Sequence, residues 1–163
     1  MSRPWRFVLT AAGALLLAAA GAVPAGAHDG GGSLLEFESM TAISGAAVGV
    51  ANDRQIIGGK LPWAIRSGTG SVDRQGEVEV QVRGLVIPKL GNTNPSPTFG
   101  VTLSCLTPDG IVNRTSAQFP ATASGDADIE TTIALPHPCK SPELFVVGAA
   151  GQWFAMSNRQ SDD

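Results

Sequence analysis

Beyond residue 33, apolar and polar side chains alternate along most of the chain, the rhythm of strands that bury one face and wet the other. Residues 77–83 are the cleanest case: Val78, Val80 and Val82 interleave with Glu77, Glu79, Gln81 and Arg83. Residues 98–106 repeat the pattern, with Phe99, Val101, Leu103 and Cys105 in one row and Thr98, Gly100, Thr102 and Ser104 in the other. A third alternation sets Ile129, Thr131, Ile133 and Leu135 against Asp128, Glu130 and Thr132. It stops at Pro136 and Pro138, whose nitrogens cannot donate to a ladder.

Turn chemistry separates these runs. Asp73, Arg74, Gln75 and Gly76 predict a hairpin between residues 70–72 and the valine strand, and Thr107, Pro108, Asp109 and Gly110 predict another between residues 98–106 and 111–118. Residues 143–149 and 152–157 read as a final strand pair joined near Ala150 and Gly151. Helix-like composition is confined to residues 41–52, where Gly45 and Gly49 would each cost about 1 kcal/mol against alanine. The pattern therefore predicts an all-β fold, an antiparallel β-sandwich of immunoglobulin-like architecture. The true immunoglobulin signature is missing, because Trp63 precedes both Cys105 and Cys139 instead of lying between them.

The start of the chain sets a different expectation. Arg3 and Arg6 precede an apolar run over residues 7–20, and Ala25, Gly26 and Ala27 follow, which together read as an export leader cut after Ala27. The apolar run is too short to be a permanent span. The expected organisation is a leader over residues 1–27, a glycine-rich tail over 28–33, one sandwich domain over 34–157 and a polar tail over 158–163. The mature protein is expected to be secreted and extracellular, with no membrane span. Two cysteines in such a chain predict one disulfide, Cys105 to Cys139, worth about 3 to 4 kcal/mol by chain entropy. The formal charge of −3 is spread singly along the chain, unlike the clustered lysines and arginines that phosphate backbones require, so nucleic acid is excluded as a partner.

Candidate chemistry is sparse. Cleavage after Ala27 would expose His28 as an N-terminal amine plus imidazole, which with His137 could hold Cu(II) in a nitrogen site. The arrangement resembles the histidine brace of copper-dependent polysaccharide monooxygenases and the N-terminal site of periplasmic copper-carrier sandwiches. Asp126, Asp128 and Glu130 stand at alternate positions, with Asp109 available from a turn, a donor set of hard oxygens suited to Ca²⁺. Acidic residues on a wet strand face also discourage edge pairing without any ion. Trp63 shares a face with Ile65 and is expected in the core. Trp153 is either an outward contact residue or buried under a loop. The aperiodic residues 88–97 read as a crossover between sheets, with a binding loop as the alternative. Asn113, Arg114 and Thr115 match a glycosylation acceptor. The chain carries no nucleophile elbow, zinc-protease helix or phosphate loop. The expected function is a non-catalytic binding or interaction module with a protein or glycan partner. The alternatives are a copper protein and a calcium-stabilised carbohydrate-binding module.

Several segments are similar to a group of small exported proteins of high-GC Gram-positive bacteria. They are residues 62–68 around Trp63, residues 84–88 ending in Ile87 and Pro88, residues 104–107 around Cys105, residues 119–121, and the later Leu135, Pro136 and Cys139. The resemblance implies an exported setting and assigns no activity or site. Residues 70–85 also resemble the strand opening of chordin-type repeats, without that family's paired histidines.

Overall fold

The computed structural model describes residues 32–158. Ten strands follow in order: β1 (Ser33–Phe37), β2 (Met40–Ala42), β3 (Ser67–Asp73), β4 (Glu77–Arg83), β5 (Thr98–Thr107), β6 (Gly110–Thr115), β7 (Phe119–Pro120), β8 (Ala127–Thr132), β9 (Lys140–Val147) and β10 (Trp153–Ser157). They form two antiparallel sheets, one ordered β1-β3-β4-β8 and the other β2-β10-β9-β5-β6 with β7 paired to the start of β5. The sheets pack face to face over one hydrophobic core, so the sandwich that the alternation predicts is the fold. Its strand order is its own. β3 and β4 form a hairpin within one sheet, whereas the third and fourth strands of a constant-type immunoglobulin domain lie in opposite sheets.

Local chemistry accounts for the elements. In β4 the valines Val78, Val80 and Val82 are buried and the intervening glutamates exposed. β8 answers with Ala127 and Ile129 on the same inner face. The β3–β4 turn closes as its residues predict: Asp73 Oδ1 accepts from the amides of Gln75 and Glu77, both at 2.8 Å, and Gly76 takes a left-handed φ of 86° that favours glycine. The β5–β6 hairpin closes on Thr107 and Gly110. Residues 41–52 hold no α-helix, only a 3-10 turn at Gly45–Ala47, with Gly45 and Gly49 at φ 58° and 73°.

Cys105 and Cys139 are bonded, with Cα atoms 4.9 Å apart. Cys105 is fully buried in the inner row of β5 and Cys139 directly precedes β9, so the bridge pins the crossover of residues 133–139 to the core. Two predicted boundaries shift. β1 begins at Ser33, inside the residues assigned to the tail. Asn158 is tied to the β1–β2 turn, its amides reaching the carbonyl and hydroxyl of Ser39. The leader over 1–27, with the tail residues 28–31 and 159–163, lies outside the described residues.

Candidate functional site

Between β2 and β3 the chain runs for residues 43–66 without a named strand, yet it is firmly attached. Residues 49–59 fold back on themselves as a small hairpin: Gly49 N–H donates to the Gly59 carbonyl, Gly58 N–H to the Val50 carbonyl and Asn52 N–H to the Ile56 carbonyl. At the tip, Asn52 Oδ1 accepts from the amides of Arg54 and Ile56, both at 3.0 Å, and Gln55 takes a φ of 62°. At its base Gly59 N–H donates to the Trp153 carbonyl and Trp153 N–H donates to the Ile57 carbonyl, so the hairpin continues the edge of β10. Gly58 must be glycine here, since a Cβ would collide with Ile43 and the Ala47 carbonyl.

Arg54 fastens the tip. Its Nε lies 3.1 Å from Glu143 Oε2 in an ion pair that is almost wholly buried, its Nη2 donates to the Ser141 carbonyl at 2.9 Å, and its own carbonyl accepts from Asn113 Nδ2 at 2.8 Å. Glu143 is on β9 and Asn113 on β6, and each sits directly across from Ser104 of β5. The hairpin therefore spans three strands of the second sheet. Thr102 and Ser104, the hydroxyl row of β5, are buried with it at 3% and 0% exposure. Beneath it Ser104 Oγ, Asn113 Oδ1 and Arg54 Nη1 are buried without a protein hydrogen-bond partner, an arrangement that costs on the order of 1 to 3 kcal/mol per group.

This cover leaves an open groove of about 980 Å³. It is lined by Gln55 and Ile57 of the hairpin with Lys60 just after it, by Thr102, Asn113 and Thr115 of β5 and β6, by Pro95, Ser96 and Pro97 and by Ala149 to Gln152. Trp63 and Phe154 line it too, stacked with ring centroids 4.2 Å apart, and Phe99 meets both edge-on at 6.2 and 6.0 Å. Such ring pairs are worth about 0.5 to 1.5 kcal/mol each beyond their buried area, so this part of the lining is rigid. Residues 88–97 cross from β4 in one sheet to β5 in the other, and Pro95, Ser96 and Pro97 of that loop line the groove. Asn94 holds that loop, its Nδ2 donating to the carbonyls of Ser96 and Thr122.

The residues singled out from the sequence fare unevenly. Trp63 is buried at 6% and reaches the groove from the core. Trp153 is also buried, at 4%, edge-on to Phe145, and is not among the groove-lining residues, which overturns its role as an outward contact. Two members of the acidic triad, Asp126 and Asp128, serve arginines. Asp126 Oδ1 accepts from Gly84 N–H at 2.8 Å and lies 3.5 Å from Arg66 Nη2, while its Oδ2 accepts from Ser124 Oγ. The Gly84 amide, followed by the Ser124 hydroxyl and the two nearby guanidinium groups, holds its carboxyl below the usual range. Asp128 pairs with Arg83 at 2.6 Å, Glu130 faces Glu79 across the strands, and Asp109 belongs to the other sheet's hairpin. His28 lies outside the described residues, and His137 is exposed between two prolines after β8. Among the described residues no group of three or more histidines, cysteines or acids is placed to hold a metal. Asn113 is not free for a glycan in the folded chain, because its Nδ2 is committed to Arg54.

The groove itself went unread in the sequence. Its one visible sign is the turn-forming Asn52, Asp53, Arg54 and Gln55 between Val50-Ala51 and Ile56-Ile57, a miniature hairpin pattern. Set against known protein families, curated proteins and solved structures, the chain matches none of them.

Proposed function

We propose that this protein is an exported, non-catalytic binding module whose ligand seats in the groove between the residue 49–59 hairpin and the β5–β6 face. The groove carries the reading: its volume falls within the roughly 300 to 1,000 Å³ typical of ligand sites, and apolar walls with a few fixed neutral polar groups are the composition such sites use. Thr102 and Thr115 hydroxyls are bonded to each other at 2.8 Å, and the Asn113 amide is fixed by the Arg54 carbonyl, so the polar wall is already ordered before anything binds. Pre-ordering of this kind lowers the cost of association. The leader pattern and the disulfide support export, since such bonds persist in oxidising compartments.

The test is a chemical-shift map of the mature protein against a panel of neutral oligosaccharides, cell-wall glycopeptides, short peptides and lysolipids. Shifts clustered on residues 55–61, 95–97, 113–115 and 149–152 are expected for at least one compound. Shifts confined to the β1-β3-β4-β8 sheet, or turnover of any panel compound, would overturn the reading.

A further inference from the structure

We infer that the groove's ligand is a single-chain amphiphile with an anionic head, an inference that rests on the groove being the binding site. The lining is largely apolar: Ile56 and Ile57 of the hairpin, Leu61, Trp63, Ile87 and Phe154 all border it. An aliphatic chain suits such a surface. A sugar does not, because sugar recognition uses an open aromatic face, whereas Trp63 and Phe154 are only 6% and 3% exposed and are stacked on each other.

The head chemistry comes from charge. Lys60 is the one ionisable side chain that lines the groove; it is exposed and makes no ion pair among the described residues. An anion is its natural complement. The rest of the polar lining consists of neutral amides and hydroxyls, so no carboxylate of the lining opposes an anionic head.

Ile57, which lines the groove, is also 60% exposed, so the hairpin offers an aliphatic chain apolar surface in contact with solvent.

The experiment uses mature protein and 1-acyl lysophosphatidylglycerol bearing a brominated chain, kept below its micellar concentration, with tryptophan quenching as the readout. In Trp153→Phe, which leaves Trp63 as the reporter, saturable quenching is expected. Lys60→Gln should weaken binding of this lipid about tenfold while leaving neutral lysophosphatidylcholine within twofold. Shift mapping on the unsubstituted protein guards against a variant that fails to fold. No saturable quenching and no lipid-induced shifts, with a groove ligand of another class found in the panel, overturns the amphiphile and leaves the binding groove standing. Lipid-induced shifts away from the groove overturn both. Equal loss of anionic and neutral lipid in Lys60→Gln overturns the anionic head.

Discussion

Asp126 shows how little a carboxylate's spacing reveals about its employment. In sequence it starts an acidic series that suits a hard cation. In the fold it accepts from Gly84 N–H and Ser124 Oγ and sits beside Arg66, so one oxygen is taken by groups 42 and 60 residues away in the chain that no local pattern connects to it. Its folded-state pKa is lowered from the ordinary 3.8. A lowered folded value means stability that is present above the unfolded pKa and lost as pH falls through the folded one. Melting temperatures recorded from pH 6 down to pH 2 are therefore expected to fall more steeply below about pH 4 for the natural protein than for Asp126→Asn. Parallel curves would remove Asp126 from the acid response. Trp153 carries the same lesson: alternation alone leaves it either outward or under a loop, but the register shift between Trp153 and Ala155 in the β9–β10 pairing breaks the simple alternation there, and the ring is buried edge-on to Phe145.

Among the elements, strands with one wet face were legible and the piece that builds the groove was not. β4 and β8 declare themselves because valine or isoleucine alternates with charge. β5 misleads on its second row, whose glycine, threonine and serine read as solvent-facing although Gly100, Thr102 and Ser104 are buried. Small hydroxyl side chains there leave room for the residue 49–59 hairpin, which lacks a long alternating run of its own and is held by Arg54 together with one core side chain, Ile56. Arg54→Ala should therefore act locally. It removes Arg54 from its buried ion pair with Glu143, at 15% side-chain exposure, and should cost on the order of 3 kcal/mol. Amide hydrogen exchange of residues 50–58 should rise at least tenfold, while β3 and β4 change only by the global loss. A uniform rise across all strands would show that the hairpin is no separate unit. Arg54→Met, which keeps the bulk without the charge, separates packing from pairing.

At the scale of the whole molecule, the class of fold followed from periodicity but the order of strands did not. Side-chain alternation says which face is buried and nothing about which strand lies alongside, so the four-stranded sheet β1-β3-β4-β8 could not be told from an immunoglobulin order. The disulfide was legible because two cysteines leave one pairing, and the fold shows what the pairing does. It closes a separation of 34 residues that contains β6, β7 and β8, and so couples both sheets. Replacing Cys105 and Cys139 together by alanine is expected to lower unfolding free energy by about 3 to 4 kcal/mol in urea titrations. A loss below about 1 kcal/mol would place the constraint elsewhere, in residual order of the unfolded chain.

The bond from Asn113 to the Arg54 carbonyl also bears on how the protein can be made. A eukaryotic secretion host attaches its sugar to that same nitrogen while the polypeptide is still emerging, ahead of folding. Product from yeast or insect cells would then carry a bulky branch where the cover must seat, whereas a bacterial periplasm delivers the crosslink without the sugar.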